Sequence, residues 1–190
     1  MAIVLASQSP RRQELLQRIG VEDFKTLSLD IDESYPEGLS PEDTVRYIAK
    51  KKCDAAAALC APDDLIITAD TMVFLDNDRL GKPRDEEDAL RMLRELAGRG
   101  HTVCTGVSVR RGETSELFAV STRVFFRPMT DDEIRAYIKT GEPMDKAGAY
   151  GVQSRGALFV ERIGGDFFNV MGLPVEQLGL VLARFGVKLL

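Results

Sequence analysis

Short continuous apolar runs alternate along this chain with apolar stripes at helical spacing, and that order predicts an α/β protein. Ile3-Val4-Leu5 reads as a strand, and Leu15, Leu16 and Ile19 as the buried face of a helix. Between them, Ser9 is placed as N-cap and Pro10 at the first helical position. A second helix starts at Ser40-Pro41-Glu42-Asp43 and runs through an alanine tract to about Leu59. Leu65 to Ala69 has the pattern of a buried strand that ends at Asp70-Thr71, resumes as Met72 to Leu75 and turns at Asp76-Asn77-Asp78. Gly81-Lys82-Pro83 is a loop, after which Asp85 caps a helix carrying Ala89, Met92, Leu93 and Leu96, closed by Gly98 and Gly100. Thr102 to Val109 and Phe118 to Phe126 alternate, and the junction at Arg111-Gly112-Glu113 marks a hairpin. Thr130-Asp131-Asp132-Glu133 is a capping box for a helix ending near Gly141. After a loop from Met144 to Gln153, Ala157 to Ile163 is expected to form a strand and Pro174 to Phe185 the last helix. The hairpin forces antiparallel pairing onto a first half that alternates helix and strand. A mixed sheet flanked by helices follows, with any cleft where strand ends and their loops gather.

Composition narrows the class. At 190 residues the chain has the length of one domain, or of one domain with two lobes, and 44% hydrophobic residues suffice for a core. A net charge of −5 argues against binding a nucleic acid polymer by bulk electrostatics. No apolar run approaches the ~20 residues of a membrane span, and the N-terminus lacks a cationic segment followed by an apolar one. Cys53, Cys60 and Cys104 are odd in number and lack CxxC spacing, which suggests reduced thiols in a cytoplasmic protein. Cys53 and Cys60 fall seven apart on the expected second helix and read as small buried hydrophobes. His101 is the single histidine, and nothing near it in sequence supports a Ser-His-Asp triad.

The candidate chemistry begins at Ser7-Gln8-Ser9-Pro10-Arg11-Arg12. Two arginines in a first helical turn oppose the helix dipole unless an anion lies between them and the open backbone N–H groups. A phosphate meets both demands; two solvated surface arginines are the alternative. Asp70 stands where a turn carboxylate, a catalytic one and a metal ligand look alike. Glu33, in Asp30-Ile31-Asp32-Glu33, could hold a hard cation or simply be surface acidity. Of Lys50-Lys51-Lys52 on one helix, at most two can face a common pocket. Asp145 to Gly151 surrounds an ion-pairable couple with small residues, which allows close backbone approach to a ligand. The usual phosphate loops, GxxxxGK[ST] and GxGxxG, are absent. Residues alone reach an α/β enzyme or binder of a phosphorylated, metal-chelated ligand.

Taken in order, Ser7 to Arg12, Glu33, Lys52, Ala69-Asp70-Thr71, Gly81-Lys82-Pro83, Asp145 to Gln153 and Gly172-Leu173-Pro174 resemble the Maf family of nucleoside triphosphate pyrophosphatases. The resemblance runs from Ile3 to about Leu182. It implies one Maf-like domain over residues 1–190, with an elongated mixed sheet, flanking helices and a central cleft between two lobes. It implies cytoplasmic hydrolysis of a nucleotide between its α- and β-phosphates, giving a nucleoside monophosphate and pyrophosphate with a divalent cation, Mg²⁺ or Mn²⁺. By the same resemblance Asp70 is the proton acceptor or orients the water. Ser7, Arg11, Arg12, Lys52 and Lys82 are implied to bind substrate phosphates, and Glu33 with Asp70 the metal. Arg11, Thr71 and Gln153 resemble the trio of the dTTP/UTP subgroup. The 7-methyl-GTP subgroup instead carries an aromatic, Gln and Glu at these positions. Gln8 departs from the small residue common there, and Gly81 from the Glu of one branch. The expected partner is a small-molecule nucleotide, with neither nucleic acid nor membrane, and a homodimer is one available assembly. The alternatives are a nucleotide-responsive regulatory binder affecting septum formation, or a Maf enzyme of another base preference.

Overall fold

The computed structural model describes residues 2–76 and 78–190; the expected turn residue Asn77 lies outside them. The chain forms two compact units. The first comprises the chain up to Asp70 with Thr105–Val120 and Gly172–Leu190, and the second Thr71–Cys104 with Ser121–Met171. Among the described residues seven strands make one sheet, β1 (Ile3–Leu5), β2 (Phe24–Thr26), β3 (Leu65–Leu75), β4 (Asp78–Leu80), β5 (Gly100–Arg111), β6 (Thr114–Phe126) and β7 (Val160–Gly164). They lie in the order β2-β1-β3-β5-β6-β7, with β4 also on β3. β1 is parallel to both β2 and β3, whereas β4 and β7 are antiparallel to their neighbours. The expected mixed sheet is therefore present.

In the first unit the helices are α1 (Pro10–Arg18), α2 (Pro41–Ala57) and α6 (Val175–Arg184). Ser40 caps α2 by accepting from the Asp43 amide, as its position before Pro41 predicts. Ser9 is the N-cap of α1, yet its side chain makes no capping bond. Its own amide donates to Ser7 Oγ at 3.2 Å instead. The face of α2 that carries Ile48, Ala49, Cys53 and Ala56 is buried. Cys53 and Ala56 pack with Ala6 and Ile66. Cys60 departs from its expected place: α2 stops at Ala57, so Cys60 lies past the helix and is only half-buried.

In the second unit α3 (Glu86–Leu96) starts on Asp85, which accepts from the Asp88 amide, and α4 (Asp131–Ile138) has the full capping box of Thr130 and Glu133. A short α5 (Phe167–Met171) went unrecognised in the sequence. His101, Phe126 and Tyr150 form an edge-to-face aromatic cluster, and His101 Nε2 lies 2.7 Å from the Tyr150 hydroxyl. Burial, and secondarily the charge of Arg123, push the His101 imidazole down to about 3, so it sits neutral in the core.

Three expectations about strands change. β3 does not pause at Asp70-Thr71 but runs unbroken for 11 residues. Aspartate is poorly suited to strands and reads as a stop, but here a cation from α2 meets it. The last strand begins at Val160, not Ala157, because residues 155–159 form a 3₁₀ turn. β4 occupies part of what reads as turn and loop.

Candidate active site

Two neighbouring pairs dock α2 onto β3. Thr68 and Asp70, two apart, share one face of the strand, and Ala49 and Lys52, three apart, share one face of the helix. Thr68 Oγ1 donates to the Ala49 carbonyl at 2.7 Å, and Lys52 Nζ donates to Asp70 Oδ1 at 2.8 Å. This register picks Lys52 from the three lysines. Lys50 turns to Asp54 within its own helix, and Lys51 to Asp32. Lys52 Nζ also lies 2.8 Å from Glu33 Oε1, so one ammonium bridges both carboxylates.

The Asp70 side chain is 9% exposed. Its second oxygen, Oδ2, is buried and meets no hydrogen-bond donor among the described residues. A buried carboxylate oxygen without a donor is costly and points to a partner supplied from outside the chain.

The start of α1 brings further charge. Arg12 Nε donates to the Gly172 carbonyl at 2.8 Å and its NH1 to Ser7 Oγ at 3.2 Å. Burial lowers the Arg12 pKa, the carboxylates of Asp70 and Glu33 oppose that shift, and Arg11 adds to it. Ser7, Arg12, Glu33, Lys52 and Asp70 therefore form one constellation inside the first unit. It lies beyond the C-terminal end of β1, where open parallel sheets bind ligands. Arg11 follows Pro10 in the same helical turn and is half-buried.

The other sequence-derived candidates belong to the second unit. Thr71 follows Asp70 on β3 and is half-buried; Lys82 and Gln153 are exposed. The loop of Lys82 and the segment from Asp145 to Gln153 are tied together, since the Gly148 amide donates to the Gly81 carbonyl at 3.1 Å. Gly148 has φ +69°, and a Cβ there would meet Val73 Cγ2 at 3.0 Å, so glycine serves both backbone and packing. Lys146 and Asp145 pair at 2.7 Å, as their adjacency suggests. Glu142, which the sequence pattern does not single out, lies in a 3₁₀ turn over Glu142–Asp145 and gathers hydrogen bonds there. Its signal was a carboxylate between the turn-formers Gly141 and Pro143.

A mixed α/β fold with cations gathered around a buried, half-satisfied carboxylate defines a protein equipped for an anionic ligand. The chain matches the Maf-like protein family over residues 2–185, and it belongs to that family. It is 46% identical over 186 residues to a Bacillus velezensis protein named dTTP/UTP pyrophosphatase, covering 98% of this chain and 97% of that one. A Geobacillus protein of the same name is 47% identical over 184 residues, covering 97% and 98%. Among solved structures, a HAM1 protein from Coxiella burnetii shares the fold at a TM-score of 0.52 and 13% identity, covering 97% of this chain and 99% of that one. No helix among the described residues is long and apolar enough to cross a membrane.

Proposed function

We propose that this protein is a cytoplasmic pyrophosphatase that hydrolyses dTTP and UTP between the α- and β-phosphates, releasing the nucleoside monophosphate and pyrophosphate. The observation that carries this reading is Asp70, held through one oxygen by Lys52 and left open at the other. Full-length similarity to relatives named dTTP/UTP pyrophosphatase supports the substrate. A pure nucleotide sensor has no need of an open, buried carboxylate, which favours the enzyme over the regulatory binder.

In this reading Ser7, Arg11, Arg12, Lys52 and Lys82 bind phosphate oxygens. A nucleoside triphosphate carries about four negative charges, and fixed cations orient the α-phosphorus while offsetting charge that develops on the leaving group. Asp70 Oδ2 takes the attacking water as its hydrogen-bond partner and either accepts its proton or aims it. Thr71 supplies a hydroxyl beside the substrate. Gln153 offers a donor and an acceptor to a pyrimidine edge, and Arg11, Thr71 and Gln153 together set the base preference.

Glu33 and Asp70 suit a divalent cation. They are hard oxygen donors on one lysine, and Asp70 keeps an oxygen available. Among the described residues no group of three or more His, Cys, Asp and Glu could hold an ion. Mg²⁺ or Mn²⁺ would thus share its coordination with substrate phosphates, as Mg²⁺ commonly does. When bound, such an ion supplies charge neutralisation and acidifies a coordinated water. The partner is a small-molecule nucleotide, and a homodimer is an available assembly.

Pyrophosphate release across a nucleoside triphosphate panel, with Mg²⁺ or Mn²⁺, tests the proposal. dTTP and UTP are expected to turn over fastest. Tight binding of a nucleotide with no turnover of any would establish the binder instead, and a preference for 7-methyl-GTP the other subgroup.

A further inference from the structure

Glu142 gathers more donors than any other side chain in its segment. Its Oε1 accepts from the Tyr137 hydroxyl at 2.8 Å, Ser154 Oγ at 2.6 Å and the Gly156 amide at 3.2 Å. Its Oε2 accepts from the Arg155 amide at 3.3 Å, and its main-chain carbonyl from Lys146 Nζ at 2.7 Å. One residue thus holds α4, the Lys146 side chain and the backbone at 155–156.

The Tyr137 hydroxyl extends the grip, accepting from the Gly151 amide at 3.1 Å. At Gly156 a Cβ would meet the Gly151 carbonyl at 2.5 Å and the Tyr137 hydroxyl at 2.9 Å, so the two stretches of backbone pass with no room for a side chain. The loop closed in this way is strained, because buried Ala149 has φ +60°, a conformation unfavourable for an L residue. Such strain persists only where surrounding contacts over-determine the backbone. Gln153 follows five buried residues, 148–152, and directly precedes the three that Glu142 holds.

We propose that Glu142 is a positioning residue for base selection, fixing the backbone from which Gln153 meets the nucleobase. The inference rests on the reading of Gln153 given above. A carboxylate suits the role because it only accepts, and all of its neighbours donate. An amide there would set its NH₂ against at least one donor and loosen the loop. An exposed side chain on a loosened loop loses the orientation that discriminates between bases.

The test compares kcat/KM for dTTP and for GTP in wild type, Glu142→Gln, Gln153→Ala and the double variant, with Tm measured for each. Glu142→Gln is expected to lower the dTTP:GTP ratio at least fivefold, chiefly through a higher KM for dTTP, while GTP changes less than twofold. In the Gln153→Ala background the same change should lower the ratio no further, since both act through one contact. Should Glu142→Gln fail to fold, Ser154→Ala removes one donor and keeps the carboxylate, with a loss of about twofold in the ratio expected. An equal decline on both nucleotides, or an unchanged ratio in a folded Glu142→Gln protein while Gln153→Ala collapses it, overturns the role of Glu142 alone. A ratio indifferent to Gln153→Ala overturns the reading of Gln153 and this inference with it.

Discussion

Each unit builds a hydrogen-bonded cluster around one carboxylate, buried at Asp70 and half-buried at Glu142, and the two are used in opposite ways. In the first unit Asp70 gives one oxygen to Lys52 and leaves the other without a donor. In the second, Glu142 engages both oxygens and spreads its bonds over Tyr137, Ser154, Arg155 and Gly156. Electrostatics follow the geometry at Glu142. Burial pushes its carboxyl up, but the hydrogen bonds from Ser154, Tyr137, Gly156 and Arg155 outweigh burial and hold it below the usual carboxylate range. A saturated carboxylate stabilises backbone. A half-satisfied one, which costs about 1–3 kcal/mol to bury, persists where a ligand or water completes it. The difference matches the roles proposed for them, Asp70 to act and Glu142 to hold Gln153 in place.

The largest effect is expected at Asp70. Asp70→Asn keeps the volume and removes the charge, and kcat at saturating dTTP is expected to fall by ~10²–10⁴-fold. Nucleotide affinity, read by calorimetry, should survive. More than a tenth of wild-type kcat in the variant would contradict the role given to Asp70.

Arg12 has a structural bond in the first unit and, in the proposed function, a phosphate to bind as well. Arg12→Ala should lower kcat/KM by about 10–150-fold, the equivalent of one charge-assisted phosphate contact at about 1.5–3 kcal/mol. It also loses the bond to the Gly172 carbonyl, so Tm without ligand should drop by about 2–4 °C. A large fall in Tm with unchanged kinetics would make Arg12 purely structural.

In the second unit, Gln153→Glu exchanges an amide donor for a carboxylate. The kcat/KM for dTTP and UTP should fall more than tenfold while that for GTP or 7-methyl-GTP holds or rises, since a polar group covered by the bound base and left unpaired discriminates by a few kcal/mol. A common decline on all four nucleotides would mean that Gln153 supports the loop without reading the base.

A smaller effect concerns stability. His101 is held down to about 3 by burial and by Arg123, against 6.5 when exposed. The unfolded chain therefore binds the proton first on acidification. The contribution is fully present above about pH 6.5 and is lost as pH falls from there towards 3, at up to about 1.4 kcal/mol per pH unit. Urea midpoints of wild type should fall faster between pH 7 and pH 5 than those of His101→Asn. Parallel curves would show that His101 titrates normally.

Local signals carried the helix starts. Ser40-Pro41, Asp85 and the Thr130–Glu133 box are contacts within four residues of sequence, and all three form. The start of α1 was equally legible, down to the two arginines in its first turn. Asp70 was visible as a candidate but misplaced at a strand end, because what lets an aspartate sit inside β3 is Lys52, 18 residues away. The choice of Lys52 among three lysines depends on the register of α2 on β3, which no local pattern encodes. Glu142 was missed for the same reason. Its partners Ser154, Arg155 and Gly156 lie 12 to 14 residues away, and by drawing their donors inward it coincides with the 3₁₀ turn that displaces the start of β7. The roles proposed for these residues rest on the family resemblance, since periodicity carries no information about them.

Whether Asp70 acts and Glu142 positions is decided by one chemical change made at both places. Asp70→Asn and Glu142→Gln each replace a carboxylate by its amide, and each variant is assayed for pyrophosphate release from dTTP and from GTP. Asp70→Asn is expected to lose turnover of both nucleotides in proportion, with their ratio intact. Glu142→Gln is expected to keep kcat within a few-fold and to lose the preference for dTTP. Equal losses of kcat in the two variants, or a collapse of selectivity in Asp70→Asn with turnover preserved, would overturn this division of roles.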